Sequence, residues 1–178
     1  MKTPKLTRGS LAALALAATA AIVTGGPTVA SADSGAQVVT ASAPLTDLSP
    51  TTADPTDGAS ARLVAVGIDG YGTRAVLIVT GLDPSAVGTS FGAHVHTGPC
   101  VAAQPALAGP HYNAGGPPSL QTEVWLDFTV LPGGVGAAQA TVPFTIPEGK
   151  AQSVVIHRLP TDANGVAGAR MACLPAQF

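Results

Sequence analysis

Charge and aromatic side chains are both scarce in this 178-residue chain: Asp, Glu, Lys and Arg make up 10% and Phe, Trp and Tyr 4%. Eight Lys and Arg face ten Asp and Glu, a formal charge of −2. No basic patch is present to meet nucleic acid or an anionic membrane surface, so neither is expected as a partner. No apolar period of 3.6 residues is sustained beyond the first 32 residues, which argues against a helical architecture. No internal repeat is visible, and a repeat array is set aside. The chain has two cysteines and four histidines, so any metal chemistry must draw on a short supply of soft and nitrogen donors.

The first 32 residues read as a secretory signal peptide. Lys2, Lys5 and Arg8 form a basic start, residues 11–23 are an apolar run, and Ala30-Ser31-Ala32 fits small-x-small cleavage before Asp33. The run is too short to span a bilayer comfortably, and no cysteine near the cleavage point offers a lipid anchor. The expectation is a secreted, extracellular bacterial protein with no membrane association after cleavage. Three of the eight Lys and Arg leave with the leader, so five remain against ten Asp and Glu, a balance near −5.

Residues 33–60 are low in complexity, with a first short strand expected at 37–40 and linker or loop at 49–59. From Ala61 to Phe178 the texture is that of a β domain. Apolar and β-branched runs at 62–66, 74–80, 91–96, 123–130, 138–144, 152–157 and 170–173 read as strands, with Gly and Pro between nearly all of them. Short strands with frequent turn residues predict an all-β sandwich or barrel of about eight strands. Residues 97–121 form a long loop with five Pro and four Gly, a length that in a compact domain marks function or motion.

The histidines are placed suggestively. His94 and His96 are two apart in Gly-Ala-His-Val-His, and strand residues i and i+2 share a face, which makes a preformed chelate. His111 lies in the long loop and His157 ends the apolar run Ser-Val-Val-Ile-His. Taken singly, His111 reads as a solvated loop residue and His157 as a satisfied core residue. Together the four imidazoles suit the tetragonal nitrogen shell that Cu(II) prefers, and none is left for a second metal. Cys100 and Cys173 favour one disulfide in an oxidising compartment. It would close a loop of about seventy residues, worth roughly 4 kcal/mol by chain entropy. The alternative is two thiols, one of them a copper ligand.

Four segments, in order, resemble the secreted Cu/Zn superoxide dismutases over roughly residues 61–173. Gly92-Ala93-His94-Val95-His96 is similar to that family's Gly-x-His-x-His copper motif, and Ala108-Gly109-Pro110-His111-Tyr112-Asn113 to the segment whose histidine bridges copper and zinc. Val154-Val155-Ile156-His157 resembles the strand ending in the fourth copper ligand, and Ala167-Gly168-Ala169-Arg170-Met171-Ala172-Cys173 its Gly-x-Arg-x-Ala-Cys signature. The resemblance implies a Greek-key β-barrel, one copper ion on His94, His96, His111 and His157, an anion-guiding Arg170, and a Cys100–Cys173 disulfide.

The chain also departs from that family. Residues 114–120 hold neither the two further histidines nor the aspartate of the usual zinc site, so zinc is expected to be absent and the chain looks like a copper-only member. The 157–170 stretch is shorter than the family's charged loop. Without zinc, His111 needs another partner to orient it. Glu123 and Asp127 are the candidates, on one side of a strand with Trp125, although the plainer expectation for each is a solvent-facing charge.

The resemblance implies conversion of superoxide to dioxygen and hydrogen peroxide by Cu(II)/Cu(I) cycling, with His111 released and protonated as proton source. Arg170 would attract the anion, being cationic at all relevant pH. Arg158 reads as an ordinary exposed charge. The alternative function is a secreted domain that sequesters or delivers copper with little turnover, which has no need of an anion guide. A metal-free structural domain is the third reading. Oligomeric state is not legible.

Overall fold

The computed structural model describes residues 28–32 and 35–178. The basic start and apolar run of the expected leader lie outside them. The strands are β1 (Thr28–Ala32), β2 (Ala36–Pro44), β3 (Thr46–Asp47), β4 (Ser60–Ile68), β5 (Gly72–Thr80), β6 (Ser90–Phe91), β7 (Ala93–His96), β8 (Phe128–Thr129), β9 (Val135–Val142), β10 (Ser153–His157) and β11 (Arg170–Pro175). Single 3-10 turns occur at Pro84–Ala86 and Pro105–Ala108.

The strands pair antiparallel throughout, in a five-stranded sheet ordered β1-β2-β4-β5-β9 and a four-stranded sheet ordered β3-β11-β10-β7, with β6 and β8 as a separate pair. The all-β sandwich expected from the sequence is the observed architecture. Its core takes Leu63, Leu77 and Val79 from the larger sheet and Val95, Val154, Ile156 and Leu174 from the smaller. Each such side chain contributes about 1.5–3 kcal/mol of burial. Val124, Leu126, Phe128 and Val130 join the same core, one residue in two along a segment expected to be a single strand. That strand is broken: only Phe128–Thr129 pairs regularly, while Glu123 and Trp125 make isolated bridges to Asn113 and His94.

Low complexity in residues 33–60 hides a structural contribution. Val39 and Ala41 of β2 reach the shared core. The 49–59 loop folds back on itself, with Thr56 donating from both its backbone N–H (2.8 Å) and its hydroxyl (2.5 Å) to Asp54 Oδ1.

The smaller sheet is covered on its outer face as well. Leu48, Ala108, Val155 and Cys173 form a second apolar cluster there, with half-buried Cys100 against it. Cys100 and Cys173 are disulfide-bonded with Cα atoms 5.6 Å apart, and no cysteine is free, so the reading of one as a metal ligand is excluded. The bond pins the loop after β7 to β11.

Candidate metal centre

Strand alternation builds the first half of the site. Ala93 and Val95 enter the core, which turns His94 and His96 onto the outer face of β7. On β10, Val154 and Ile156 point inward, and His157 follows Val155 on the outer side. An irregularity between Ile156 and His157 shifts the register with β11 and sets His157 opposite Arg170. The long loop then returns along β7: Thr97 N–H donates to Pro110 O (3.0 Å) and Tyr112 N–H to Val95 O (2.8 Å), which brings His111 beside His96.

One ring nitrogen from each of His94, His96, His111 and His157 lies within 4.8 Å of the others. The rings of His94 and His111 stack at 4.0 Å between centroids. Among the described residues, this is the one group of three or more His, Cys, Asp or Glu side chains placed to hold a metal ion.

The other nitrogen of each ring is tethered. His96 Nδ1 donates to Gly109 O (3.0 Å) and His157 Nδ1 to Gly168 O (3.1 Å). His111 Nδ1 meets Glu123 Oε2 at 2.8 Å, and His94 Nε2 meets Thr161 Oγ1 at 2.7 Å. Gly109 and Gly168 have φ of 69° and 76°, backbone that side-chain-bearing residues rarely adopt, and this turns their carbonyls back toward the rings. A carbonyl only accepts, so His96 and His157 carry their proton on Nδ1, and their Nε2 lone pairs face each other at 3.2 Å. His94 Nδ1 is buried with no hydrogen-bond partner. Opposed lone pairs and an orphaned buried nitrogen are the donor set a shared cation satisfies. The ligating atoms would be three Nε2 and one Nδ1.

Burial, then the neighbouring imidazoles, hold His94 down to about 2. Burial lowers His96 to about 3 against the opposing Gly109 hydrogen bond. It lowers His157 to about 4 against that of Gly168. These rings are therefore neutral at physiological pH, the form that binds metal.

Arg170 opens β11 and donates from Nη1 to Pro105 O (2.6 Å). It lines an open depression of about 750 Å³ with Gly109 and Gly168, the residues whose carbonyls hold His96 and His157. Its charge contributes to the lowered pKa of both histidines. Arg158 is exposed.

The plain reading of Glu123 as a solvent-facing strand charge is corrected, while Asp127 is half-buried, with 32% of its side chain exposed. Glu123 is 3% exposed and collects His111 Nδ1, Trp125 Nε1–H (2.9 Å) and Asn113 Nδ2–H (3.0 Å). It is the partner of His111. Asp127 instead accepts from Thr161, through both backbone N–H and hydroxyl (2.7 Å each), and from Ala93 N–H (3.3 Å). Sequence reasoning missed Thr161 and the two glycine carbonyls altogether. Glycine just before His111 and Arg170 in each motif was the available signal for the carbonyls; Thr161 had none.

No protein-family model matches this chain, and no curated protein matches it. No helix among the described residues is long and apolar enough to cross a membrane. The disulfide suits an oxidising compartment.

Proposed function

We propose that this chain is a secreted, copper-dependent superoxide dismutase that works without zinc. The observation that carries the reading is the convergence of four imidazoles, each with one nitrogen tethered and the other turned to a common point. An all-imidazole shell suits Cu(II), which also binds most tightly of the first-row divalent ions. Copper held by His94, His96, His111 and His157 would supply the one-electron couple for superoxide dismutation.

The chain's own residues then have separable tasks. His94, His96 and His157 are nearly sealed from solvent and hold their orientation. His111 has 17% of its side chain exposed and is the ligand open to exchange. Glu123 accepts the hydrogen bond from His111 Nδ1–H, which fixes the ring and leaves the Nε2 lone pair for copper. The same carboxylate occupies the nitrogen that the resemblance would give to zinc, which is why a zinc-free centre is chemically reasonable. Arg170 supplies fixed positive charge in a net acidic chain, for drawing in and hydrogen-bonding a small anion.

One observation favours the competing reading of copper held with little turnover: three of the four ligands are closed to solvent. A titration decides between them. Trp125 is the sole tryptophan, its ring 6.1 Å from that of His94, so its fluorescence reports copper occupancy. The expected result is quenching complete at one equivalent, with catalysed superoxide decay. Arg170→Ala should retain copper and lose most of the rate and its salt dependence. Copper bound without turnover supports the holding function, and no copper bound removes both.

A further inference from the structure

We propose that Thr161 is a positioning residue for this centre. Its hydroxyl, held by Asp127, locks His94 in the Nε2–H tautomer and so turns Nδ1 toward the other three rings. The inference rests on reading the four histidines as a metal site and assigns a task to a residue outside the ligand set.

The argument is one of donors and acceptors. Asp127 receives Thr161 from both sides: backbone N–H to Oδ2 and hydroxyl to Oδ1, each at 2.7 Å. The hydroxyl proton is thereby committed to the carboxylate. At His94 the Thr161 oxygen has only lone pairs to offer, so the 2.7 Å contact is donation from Nε2–H. A neutral imidazole has one N–H, so Nδ1 is left with its lone pair, and that is the buried atom without a partner. Asp127 could not do this alone, since its Oδ1 lies 3.9 Å from His94 Nε2, too far for a hydrogen bond. The threonine oxygen spans the gap.

The segment is strapped down where this contact needs it. Gly92 N–H donates to Leu159 O (2.8 Å) and Leu159 N–H to Ala167 O (2.9 Å). A β-carbon on Gly92 would sit 2.6 Å from Ala167 Cβ and 3.0 Å from Thr161 Oγ1. The bare backbone two residues before His94 is what lets the 158–169 segment close over it. That segment thus tethers two of the four rings, His94 through Thr161 and His157 through Gly168. The 97–121 loop carries His111 and tethers His96. Each loop governs two ligands.

The test uses the whole chain and two readouts. Nitrogen-15 NMR of metal-free protein reads the His94 tautomer, and chelator competition reads Cu(II) affinity. Wild type and Thr161→Ser should show only Nε2–H at His94 and bind alike. Thr161→Val keeps the volume but not the oxygen. It should show both tautomers and bind copper roughly 10- to 100-fold more weakly, the usual scale for losing a partner behind a ligand. Thr161→Ala serves the same purpose if the valine variant does not fold. A hydroxyl-free variant that keeps the single tautomer and wild-type affinity overturns the proposal. If wild-type protein binds no copper, the proposed function falls, while the tautomer comparison still decides the role of Thr161.

Discussion

Along β5 of the five-stranded sheet, Ala75, Leu77 and Val79 are buried while Arg74, Ile78 and Thr80 are open. In β7 and β10 of the four-stranded sheet every residue is buried. Both sheets obey the same pleat, which sends neighbours to opposite faces. The larger sheet meets water on its outer face. The smaller one is roofed by the loops at 97–121 and 158–169, and under that roof lie the imidazoles, the disulfide and Leu48. A strand face sealed from water can hold neutral histidines at short range, and a wet face would solvate and protonate them.

Removing the roof's fastening is the strongest way to break this comparison. Reduction of Cys100–Cys173 should cost roughly 4 kcal/mol by chain entropy. The loss should be local first: amide exchange across 97–121 rises, while β4 and β5 stay protected. Uniform loss of protection would mean the two sheets are one cooperative unit.

Truncating single side chains sharpens the same contrast. Leu48→Ala, on the outer face of the smaller sheet, should cost about 2–5 kcal/mol in urea unfolding, as much as Leu77→Ala in the shared core. Ile78→Ala on the outer face of the larger sheet is 41% exposed at the start and should cost under about 0.5 kcal/mol. Equal costs at Leu48 and Ile78 would remove the distinction between the faces.

Acid acts on the roofed face through its buried histidines. The unfolded chain protonates these imidazoles below about pH 6.5, whereas folded His157, His96 and His94 resist until about 4, 3 and 2. The folded state binds fewer protons through that window. Metal-free protein should therefore lose stability as pH falls below 6.5, by up to about 1.4 kcal/mol per pH unit for each histidine. Urea midpoints measured from pH 7 to pH 5 check the slope, and His157→Gln should flatten it.

Much of the larger sheet was legible in the chain, because alternation against water is a local pattern: 62–66 and 74–80 fall inside β4 and β5. The segment at 123–130 was half legible. Its apolar alternation is real, but Glu123 and Trp125 bridge to Asn113 and His94 rather than extend a regular ladder. The reading of Glu123 as a surface charge failed because burial of a carboxylate depends on three donors, two of them ten and twelve residues away at Asn113 and His111.

The sequence by itself determined that His94 and His96 share a face, that short strands stack into a sandwich, and that any imidazole site has four histidines to draw on. Those follow from strand geometry and from counting. Only the tertiary structure decided that His111 and His157 close on the same point, that Glu123 takes His111, and that Asp127 reaches His94 through Thr161. Each of these needs a loop to return across the sheet, and the energy that returns it lies in buried contacts and a disulfide between residues far apart in the chain.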